Sequence, residues 1–177
     1  MASSNGPVKL RLATLADAEA VAAIYAPIVR NTFVSFETEP PNADEMRARI
    51  AKSLERHCWL VSEDEHDRIN GYVYASPFRD RAAYRWSVET TAYVREDCRR
   101  SGIGRRLYLA LLPRLRELGY YQVFAGIALP NPASVALHEA VGFKPVGIYL
   151  NVGFKLGGWH DVGWWQLELR QPSVPPQ

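Results

Sequence analysis

A short basic stretch at residues 92–106 combines residue types that can bind a phosphate group. We predict the end of a strand, a tight turn, and a helix that begins near Gly102. Gly102 and Gly104 have no Cβ, so the backbone there can approach a ligand closely. The free N–H groups of the first helical turn and the positive end of the helix dipole favour an anion in that turn. Four arginines add positive charge: Arg99, Arg100, Arg105 and Arg106.

The spacing of the glycines excludes two common classes of phosphate-binding loop. A Walker A loop needs a longer spacing followed by Lys and Ser or Thr, and a Rossmann fingerprint needs a third glycine and a later acidic residue. The remaining pattern, Arg99-x-x-Gly102-x-Gly104, resembles the pyrophosphate-binding signature of the GNAT acetyltransferase superfamily, in which this turn binds acetyl-CoA. The alternative for this turn alone is an ordinary strand-to-helix connection with a glycine cap.

The composition is that of one globular domain. The chain has 177 residues, 47% hydrophobic and 23% charged; we predict a domain at residues 8–170, a mobile N-terminus at 1–7 and a flexible tail at 171–177. The net charge of +2 is too small to indicate a nucleic-acid partner. Cys58 and Cys98 have no disulfide or metal-site spacing, which favours a reducing cytoplasm. No apolar run approaches about 18 residues, so we expect no membrane span.

Hydrophobic periodicity predicts the order β-α-α-β-β-β-α-β-α-β-β, an α/β (α+β) fold with one mixed sheet. The strand, helix and strand between residues 84 and 129 imply one parallel crossover. The first helix follows a capping box from Thr14 to Asp17, and the second begins at Asn42 or Asp44. The predicted strands are residues 8–13, 58–63, 69–76, 84–94, 121–129, 143–152 and 162–169, and the later helices are residues 102–119 and 131–141.

Some local patterns give sharper expectations. Pro113 inside the third helix removes one backbone hydrogen bond, so we expect a kink or an early end. In the loop at residues 31–41, Phe33 and Phe36 are expected to turn inward. The third helix should bury one apolar face that contains Leu107, Leu111, Leu115 and Leu118.

From residue 31 to residue 166 the chain resembles the phosphinothricin N-acetyltransferase branch of the GNAT superfamily. The resemblance implies the GNAT fold and transfer of acetyl from acetyl-CoA to the α-amine of a small acidic amino-acid analogue. The segments that carry it are residues 34–40 (VSFETEP), 74–77 (YASP), Arg79, Arg81, Tyr84, residues 89–91 (ETT), 99–104 (RRSGIG), 129–131 (LPN), 137–143 (LHEAVGF) and 153–164 (GFKLGGWHDVGW).

The resemblance implies that Glu89 and His138 are catalytic. Amide formation needs a neutral amine, so a base must take a proton from the ammonium group; in the family, a glutamate at the position of Glu89 has that role. A partly buried carboxyl here should have a raised pKa. The wider superfamily has a tyrosine proton donor at the position of His138, and whether His138 acts as acid or base stays open. The alternatives are a carboxylate on a solvated sheet face and a histidine on a helix surface.

The resemblance assigns acetyl-CoA binding to the end of the fourth strand and to the basic turn. We expect the N–H groups of Tyr93 and Val94 to hold the oxyanion of the tetrahedral intermediate. Asn131 is also consistent with a plain Pro-Asn-Pro turn. The assigned positions are Ala92, Tyr93, Val94, Arg99, Arg100, Ser101, Gly102, Ile103, Gly104, Arg105 and Asn131.

Basic and aromatic residues near position 80 are implied to bind the amine substrate. Arg79 and Arg81 are two residues apart, so an extended backbone points both the same way. Paired guanidiniums suit a carboxylate and a second anion; the alternative is a solvated charge cluster with Asp80. The other implied substrate residues are Phe36, Tyr84, Thr91 and Val162, the last from the second subunit of a homodimer.

The leading prediction is a cytoplasmic, homodimeric N-acetyltransferase for phosphinothricin, arsinothricin, methionine sulfone or methionine sulfoximine. Transfer is expected to be direct, in a ternary complex, because neither cysteine is placed as a nucleophile. The alternatives are a peptide or protein amine acetyltransferase and a non-catalytic acetyl-CoA-binding module. We expect the aromatic run at residues 159–165 in the dimer interface or core. No metal is expected, since His160 and Asp161 lack further ligands at a useful spacing.

Overall fold

A seven-stranded sheet with four helices makes up the described part of the chain, residues 9–174 and 176 of a computed structural model. The predicted order of elements is confirmed. The predicted mobile segment at residues 1–7 lies outside the described residues, as do positions 175 and 177 of the predicted tail. The helices are α1 (Ala18–Asn31), α2 (Ala43–Leu54), α3 (Ile103–Glu117) and α4 (Pro132–Ala140), and the strands are β1 (Lys9–Leu12), β2 (Trp59–Glu63), β3 (Ile69–Pro77), β4 (Ser87–Val94), β5 (Gln122–Leu129), β6 (Lys144–Lys155) and β7 (Gly158–Glu168).

The sheet contains one parallel pair of strands. The strand order is β1-β2-β3-β4-β5-β7-β6, and only β4 and β5 run parallel, which confirms the predicted crossover. Their ladder pairs residues 87–89 with residues 122–124. Past Glu89 and Phe124, the described residues of the two strands are not paired, so a gap opens in the middle of the sheet.

Helices on both faces of the sheet bury separate hydrophobic clusters. α1 and α2 pack on the face that carries Trp59 and Tyr72, whereas α3 packs on the face that carries Leu60 and Val88. Among the described residues, no helix is long and apolar enough to cross a membrane. The predicted core face of α1 is buried and contains Val21, Ile24, Tyr25 and Ile28.

The third helix differs from the expectation at its C-terminal half. α3 continues past Pro113 to Glu117, so the expected early end is wrong. Burial contributes about 2 kcal/mol for each leucine, so the three that are fully buried outweigh the cost of about 3 kcal/mol of an internal proline. Leu118 is 53% exposed because it lies at the C-cap, just before Gly119 with φ +93°. The fully buried leucines are Leu107, Leu111 and Leu115.

The last hairpin is longer than predicted at both strands. β6 extends to Lys155 and β7 begins at Gly158, rather than at positions 152 and 162. The turn between them uses Leu156 and Gly157 with φ of +52° and +80°, the backbone that a tight two-residue hairpin requires. Asn151 also has a positive φ, at a register shift in β6. This irregularity explains why the sequence pattern predicted the end of the strand near residue 152.

The start of β4 and the orientation of Phe36 also differ from the predictions. β4 begins at Ser87, and the preceding residues Ala82–Tyr84 form a 3-10 turn. Phe36 is 38% exposed rather than turned inward, because its ring lies over Gly153 of β6. We call the hairpin formed by β6 and β7 the outer hairpin. Phe33 is half-buried and stacks on His160.

Candidate active site

The gap between β4 and β5 forms a cleft in the middle of the sheet. Its walls come from the separated parts of the two strands, from α3 and α4, and from the loop between α1 and α2. The residues that line it are Val34, Thr90, Thr91, Ala92, Tyr93, Tyr108, Gly126, Ile127, Ala128, Asn131, Ser134 and His138. The structure thus brings five predicted site residues together here: Thr91, Ala92, Tyr93, Asn131 and His138.

Backbone alternation decides which β4 groups face the cleft. The Arg95 N–H, one residue past β4, donates to β3 at 2.9 Å, whereas the Trp86 carbonyl faces the β5 side. Successive residues of a strand direct their N–H groups to opposite sides. The N–H groups of Ala92 and Val94 therefore face the cleft, and that of Tyr93 faces β3. This alternation favours Val94 over Tyr93 as an oxyanion donor.

The basic turn, which follows β4, presents unpaired backbone donors at the start of α3. The first hydrogen bond of α3 runs from the Arg106 N–H to the Gly102 carbonyl at 3.1 Å. The N–H groups of residues 103–105 in this described helix therefore have no intrahelical partner. Arg100 and Gly102 have φ of +62° and +80°, a backbone in which successive N–H groups converge on an anion. Left-handed backbone at the non-glycine Arg100 is costly, and such strain is found at functional sites.

Side chains of the turn are arranged around this backbone. Arg99, Arg100 and Arg105 are exposed, and Arg99 also lies 3.9 Å from the Glu96 carboxylate. The Ser101 hydroxyl donates to the Cys98 carbonyl at 2.5 Å, which closes the turn. These positions suit a diphosphate because exposed cations and free N–H donors occur together within one short turn.

Gly104 has a packing reason besides ligand access. A Cβ at this position would lie 3.0 Å from Leu137 Cδ2, which is tighter than an ordinary contact. Glycine therefore lets the first turn of α3 approach α4, the helix that carries His138. Ile103 is buried beside it and anchors the helix start in the core.

Asn131 has the structural role that its sequence context allowed. Its Oδ1 accepts a hydrogen bond from the Ser134 N–H at 3.1 Å, so it is the N-cap of α4, with Pro132 in the first turn. Asn131 also lines the cleft.

Glu89 lies where the cleft begins. It is the last β4 residue paired with β5, opposite Phe124, and it pairs with Ser76 on β3. Burial raises the pKa of Glu89, and the guanidinium of Arg79 opposes this rise. The predicted direction of the pKa shift is confirmed. A carboxyl that holds its proton more tightly than usual is a better base at neutral pH.

His138 is buried, with 6% exposure, and its ring is fixed on both sides. Its Nδ1 lies 2.7 Å from the Ser134 carbonyl, which can only accept, so Nδ1 carries the proton. Its Nε2 lies 2.8 Å from the Tyr108 hydroxyl and therefore accepts from it. Burial lowers the pKa of His138, so the imidazole is neutral at pH 7.

Tyr108 is a site residue that the sequence reasoning missed. It is fully buried on α3, it lines the cleft, and its hydroxyl lies 3.5 Å from Thr90 Oγ1. Burial raises its pKa well above the ordinary value. A buried phenol on an otherwise leucine-rich helix face was the available signal, because such a hydroxyl needs a partner.

The two predicted substrate arginines have different surroundings. β3 ends before them, so the argument that an extended backbone points both the same way is wrong. The Arg79 guanidinium lies over the rings of Phe78 and Trp164, at 4.4 and 5.6 Å from their centroids. Arg81 is exposed, and Tyr84 is half-exposed and meets Phe78 edge-on.

A polar cluster on the α1 side was also missed, although two of its residues lie in the VSFETEP segment. The Tyr25 hydroxyl lies 2.6 Å from Ser35 Oγ and donates to Glu37 at 2.9 Å. Arg49 of α2 binds both oxygens of Glu37, at 2.6 and 2.9 Å. This ion pair lowers the pKa of Glu37, and burial raises the pKa of Tyr25 to about 12.

The two remaining predicted substrate residues lie toward the outer hairpin. Val162 pairs with Ala128, a cleft residue of the same chain. Phe36 lies over Gly153 on β6. Among the described residues, no group of three or more His, Cys, Asp or Glu side chains could hold a metal ion.

Comparisons with known proteins match this arrangement. Residues 10–164 match the profile of the acetyltransferase (GNAT) domain. A phosphinothricin N-acetyltransferase from Streptomyces viridochromogenes is 41% identical over 99% of this chain and 95% of its own length. An L-methionine sulfoximine/L-methionine sulfone acetyltransferase from Pseudomonas paraeruginosa is 34% identical over 94% of this chain and 98% of its own.

A solved structure extends the match to three dimensions. It is the crystal structure of a GNAT superfamily phosphinothricin acetyltransferase from Sinorhizobium meliloti in complex with acetyl-CoA, 36% identical, with a TM-score of 0.89 over 94% of this chain and 93% of that one. The fold predicted from the sequence is thereby confirmed. With its domain profile, its relatives and its divided sheet in agreement, the chain belongs to the GNAT family of acetyltransferases, which use acetyl-CoA as the acetyl donor.

Proposed function

We propose that this enzyme acetylates the α-amine of a small amino-acid analogue with a tetrahedral polar head. Phosphinothricin, arsinothricin, methionine sulfone and methionine sulfoximine are the substrates we expect, and residues 8–170 form the catalytic domain. The observation that carries the proposal is the divided sheet: β4 and β5 separate just past Glu89 and open a cleft lined by Tyr108 and His138, and β4 then leads into the basic turn and the start of α3. The named activities of the two relatives support this substrate class.

The donor is expected to lie along β4 with its diphosphate on the basic turn. The N–H groups of residues 103–105 and the side chains of Arg99, Arg100 and Arg105 bind the diphosphate. The N–H groups of Ala92 and Val94 then face the rest of the molecule and polarise the thioester carbonyl.

Glu89 takes the first of two protons that leave the substrate nitrogen. An ammonium group cannot attack a carbonyl, so this proton must leave before the C–N bond forms. The raised pKa of Glu89 suits it to accept the proton near neutral pH and release it to solvent.

The Tyr108–His138 pair handles the second proton. When the amine attacks, its nitrogen becomes positive again and must lose a proton, while the departing thiolate must gain one. Neutral His138 can accept a proton at Nε2 through the Tyr108 hydroxyl and return it by the same route to the sulfur. The balance is one acetyl transferred, one thiol formed and one proton released. In this proposal His138 acts first as a base toward the amine and then as an acid toward the departing thiolate.

Transfer is direct from the thioester to the amine. Of the two cysteines, Cys58 is buried in the core and Cys98 lies in the basic turn, so neither lines the cleft. A covalent acetyl-cysteine step therefore has no nucleophile at the carbonyl.

The acidic end of the amine substrate is expected near Arg79. Its guanidinium is held on the rings of Phe78 and Trp164 and lies close enough to act on the Glu89 carboxyl. A fixed guanidinium suits a carboxylate or phosphinate by bidentate contact. Arg81 and Tyr84 remain proposed contacts of the same ligand, with Thr91, Phe36 and Val162 as cleft or rim residues.

A thiol-release assay with purified protein tests the activity. We expect release that requires both acetyl-CoA and one of the four amines, with the N-acetyl product identified by mass spectrometry. A short peptide with a free N-terminus is the control amine. Release with the peptide alone, or with none of these amines, would contradict the proposal.

A homodimer is proposed from the outer hairpin. β6 exposes large apolar side chains along its length, of which Leu150 is 71% exposed. An exposed apolar surface of this kind is typical of protein interfaces. The exposed residues on β6 are Val146, Ile148, Tyr149, Leu150, Val152 and Phe154.

We also propose that the enzyme works in the cytoplasm. Cys58 and Cys98 are both free thiols in the structure, which fits a compartment where disulfides are kept reduced.

A further inference from the structure

The GFKLGGWHDVGW segment at residues 153–164 contributes no acid, base or oxyanion donor to the proposed chemistry, yet its first residues make close contacts with one wall of the cleft. We define the hairpin tip as residues 153–160 and the cleft loop as residues 32–37. Most of β6 is exposed, and the two buried positions, Gly153 and Lys155, are those that meet the α1 end and the cleft loop.

Lys155 makes the strongest connection. Its side chain is 7% exposed, and its Nζ donates to the carbonyls of Val29 and Ser35, each at 2.6 Å. Val29 lies in the last turn of α1, where helical carbonyls have no intrahelical partner. A cation at this end also complements the helix dipole. One side chain therefore joins the hairpin tip, the end of α1 and the cleft loop.

Two aromatic contacts flank this cation. Phe33 stacks on His160 with ring centroids 4.2 Å apart, and His160 Nε2 donates to the Lys155 carbonyl at 3.0 Å. The Phe36 ring lies so close to Gly153 that a Cβ there would be 2.4 Å from it. Glycine at 153 is therefore required by the position of the ring.

The cleft loop forms the wall of the cleft on the side where the amine substrate is expected to bind. Val34 lines the cleft between the two clamped phenylalanines, and the neighbouring Ser35 is bonded to Tyr25. Tyr25 packs on Tyr93 with ring centroids 4.9 Å apart. Because Tyr93 shares its β4 face with Glu89, the loop lies on the same side of the sheet as the proposed base. The diphosphate turn leads instead into α3 on the opposite face.

We infer that Lys155 is a positioning residue that holds the cleft loop in place for the amine substrate. It acts through Ser35 and its neighbours and touches neither substrate. This inference rests on the proposed function for its kinetic part, whereas the position of the loop can be measured without turnover.

The kinetic test compares Lys155→Met with Lys144→Met. Methionine keeps the length and apolar stem but removes the donor, so two carbonyls lose their partner. We expect the KM for the amine to rise about tenfold, as loss of a buried hydrogen-bond partner predicts, with the KM for acetyl-CoA unchanged. Lys144 is exposed at the other end of β6, so its variant should match the wild type. Equal increases in both KM values, or none, would overturn the inference.

A second variant and a second readout guard against a fold defect. Gly153→Ala keeps Lys155 but forces the Phe36 ring away, and should also raise the amine KM without changing that for acetyl-CoA. Amide hydrogen exchange of peptides that span residues 29–41 should be faster in Lys155→Met than in Lys144→Met. Unchanged hydrogen exchange in Lys155→Met would overturn the inference, whether or not the wild type acetylates any of the tested amines. A wild type that acetylates none of them would count only against the proposed function.

Discussion

At the scale of single residues, the arrangement of acids and bases follows from burial. Glu89 is a carboxyl with a raised pKa, and His138 is an imidazole with a lowered pKa. Both shifts favour the neutral form, because burial penalises charge. The pKa of Glu89 is thereby brought nearer to neutral pH, which suits a base, whereas the lowered pKa of His138 keeps its imidazole neutral and able to accept a proton.

Glu89→Gln removes the proposed base without changing the size of the side chain. We expect kcat/KM for the amine to fall about 10²–10⁴-fold, the range of general-base catalysis. In the wild type, kcat/KM should fall as the pH drops through the raised pKa of Glu89. In Arg79→Met, which removes the cation that opposes this rise, the acid limb should move to higher pH. A limb that stays in place or moves to lower pH would show that another group titrates.

Tyr108→Phe tests the proton route through His138. The change removes one hydroxyl and leaves Nε2 of His138 without its donor, so we expect kcat to fall about 10²-fold. The matched control is Tyr120→Phe, which removes the hydroxyl bonded to His57 Nδ1 at 2.6 Å, outside the cleft. The control should keep the wild-type kcat; equal losses in both variants would contradict the route.

At the scale of elements, the start of α3 joins two functions. Its unpaired N–H groups face the basic turn, and its Gly104 admits α4 with His138. The proposed acetyl-CoA site and the proposed proton route are therefore attached to the same helix. A small shift of α3 would disturb both.

Gly102→Ala should weaken acetyl-CoA binding. Alanine at φ +80° costs about 1–2 kcal/mol, and relief of that strain would turn the N–H groups away from the diphosphate. The control is Gly119→Ala at the other end of α3, with φ +93° and open space around the Cβ. Thermal melting should show similar destabilisation in both. Only Gly102→Ala should raise the KM for acetyl-CoA, and a similar rise in the control would argue against a specific site.

The sequence predicted those features that depend on neighbouring residues. The turn at residues 99–104 was found because glycine and arginine spacing is local, and the buried face of α1 because its periodicity is regular. The end of β6 was not predicted, because Asn151 and Leu156 adopt a left-handed backbone conformation that their residue types do not require. The hydrogen bond between Tyr108 and His138 joins residues that are 30 positions apart and lie on different helices. It therefore depends on tertiary packing, which a sequence pattern does not contain.

At the scale of the whole molecule, the divided sheet separates two tasks. The β1–β4 part and its helices carry the proposed base and the basic turn, while the hairpin of β6 and β7 contacts the cleft loop. The face of the hairpin that carries Leu150 is left exposed in the described chain, which is the ground for the proposed dimer. In these proposals, assembly and the shape of the amine site therefore depend on one element.

Leu150→Asp should shift the protein from dimer to monomer in sedimentation velocity. A charge in an apolar interface loses solvation without gaining a partner. Leu109→Asp is the control, because this leucine is exposed on α3, away from the hairpin. The control should sediment as the wild type does. A wild type that is already monomeric at micromolar concentration would contradict the dimer.

The central claim is that the opening between β4 and β5 binds acetyl-CoA beside Glu89. A crystal structure of the protein soaked with acetyl-CoA tests this most directly. The account predicts the diphosphate on the N–H groups of residues 103–105, the thioester carbonyl on the N–H of Ala92 or Val94, and the Glu89 carboxyl facing the acetyl group. Acetyl-CoA bound elsewhere, or bound in the cleft with Glu89 directed away from the thioester, would contradict it.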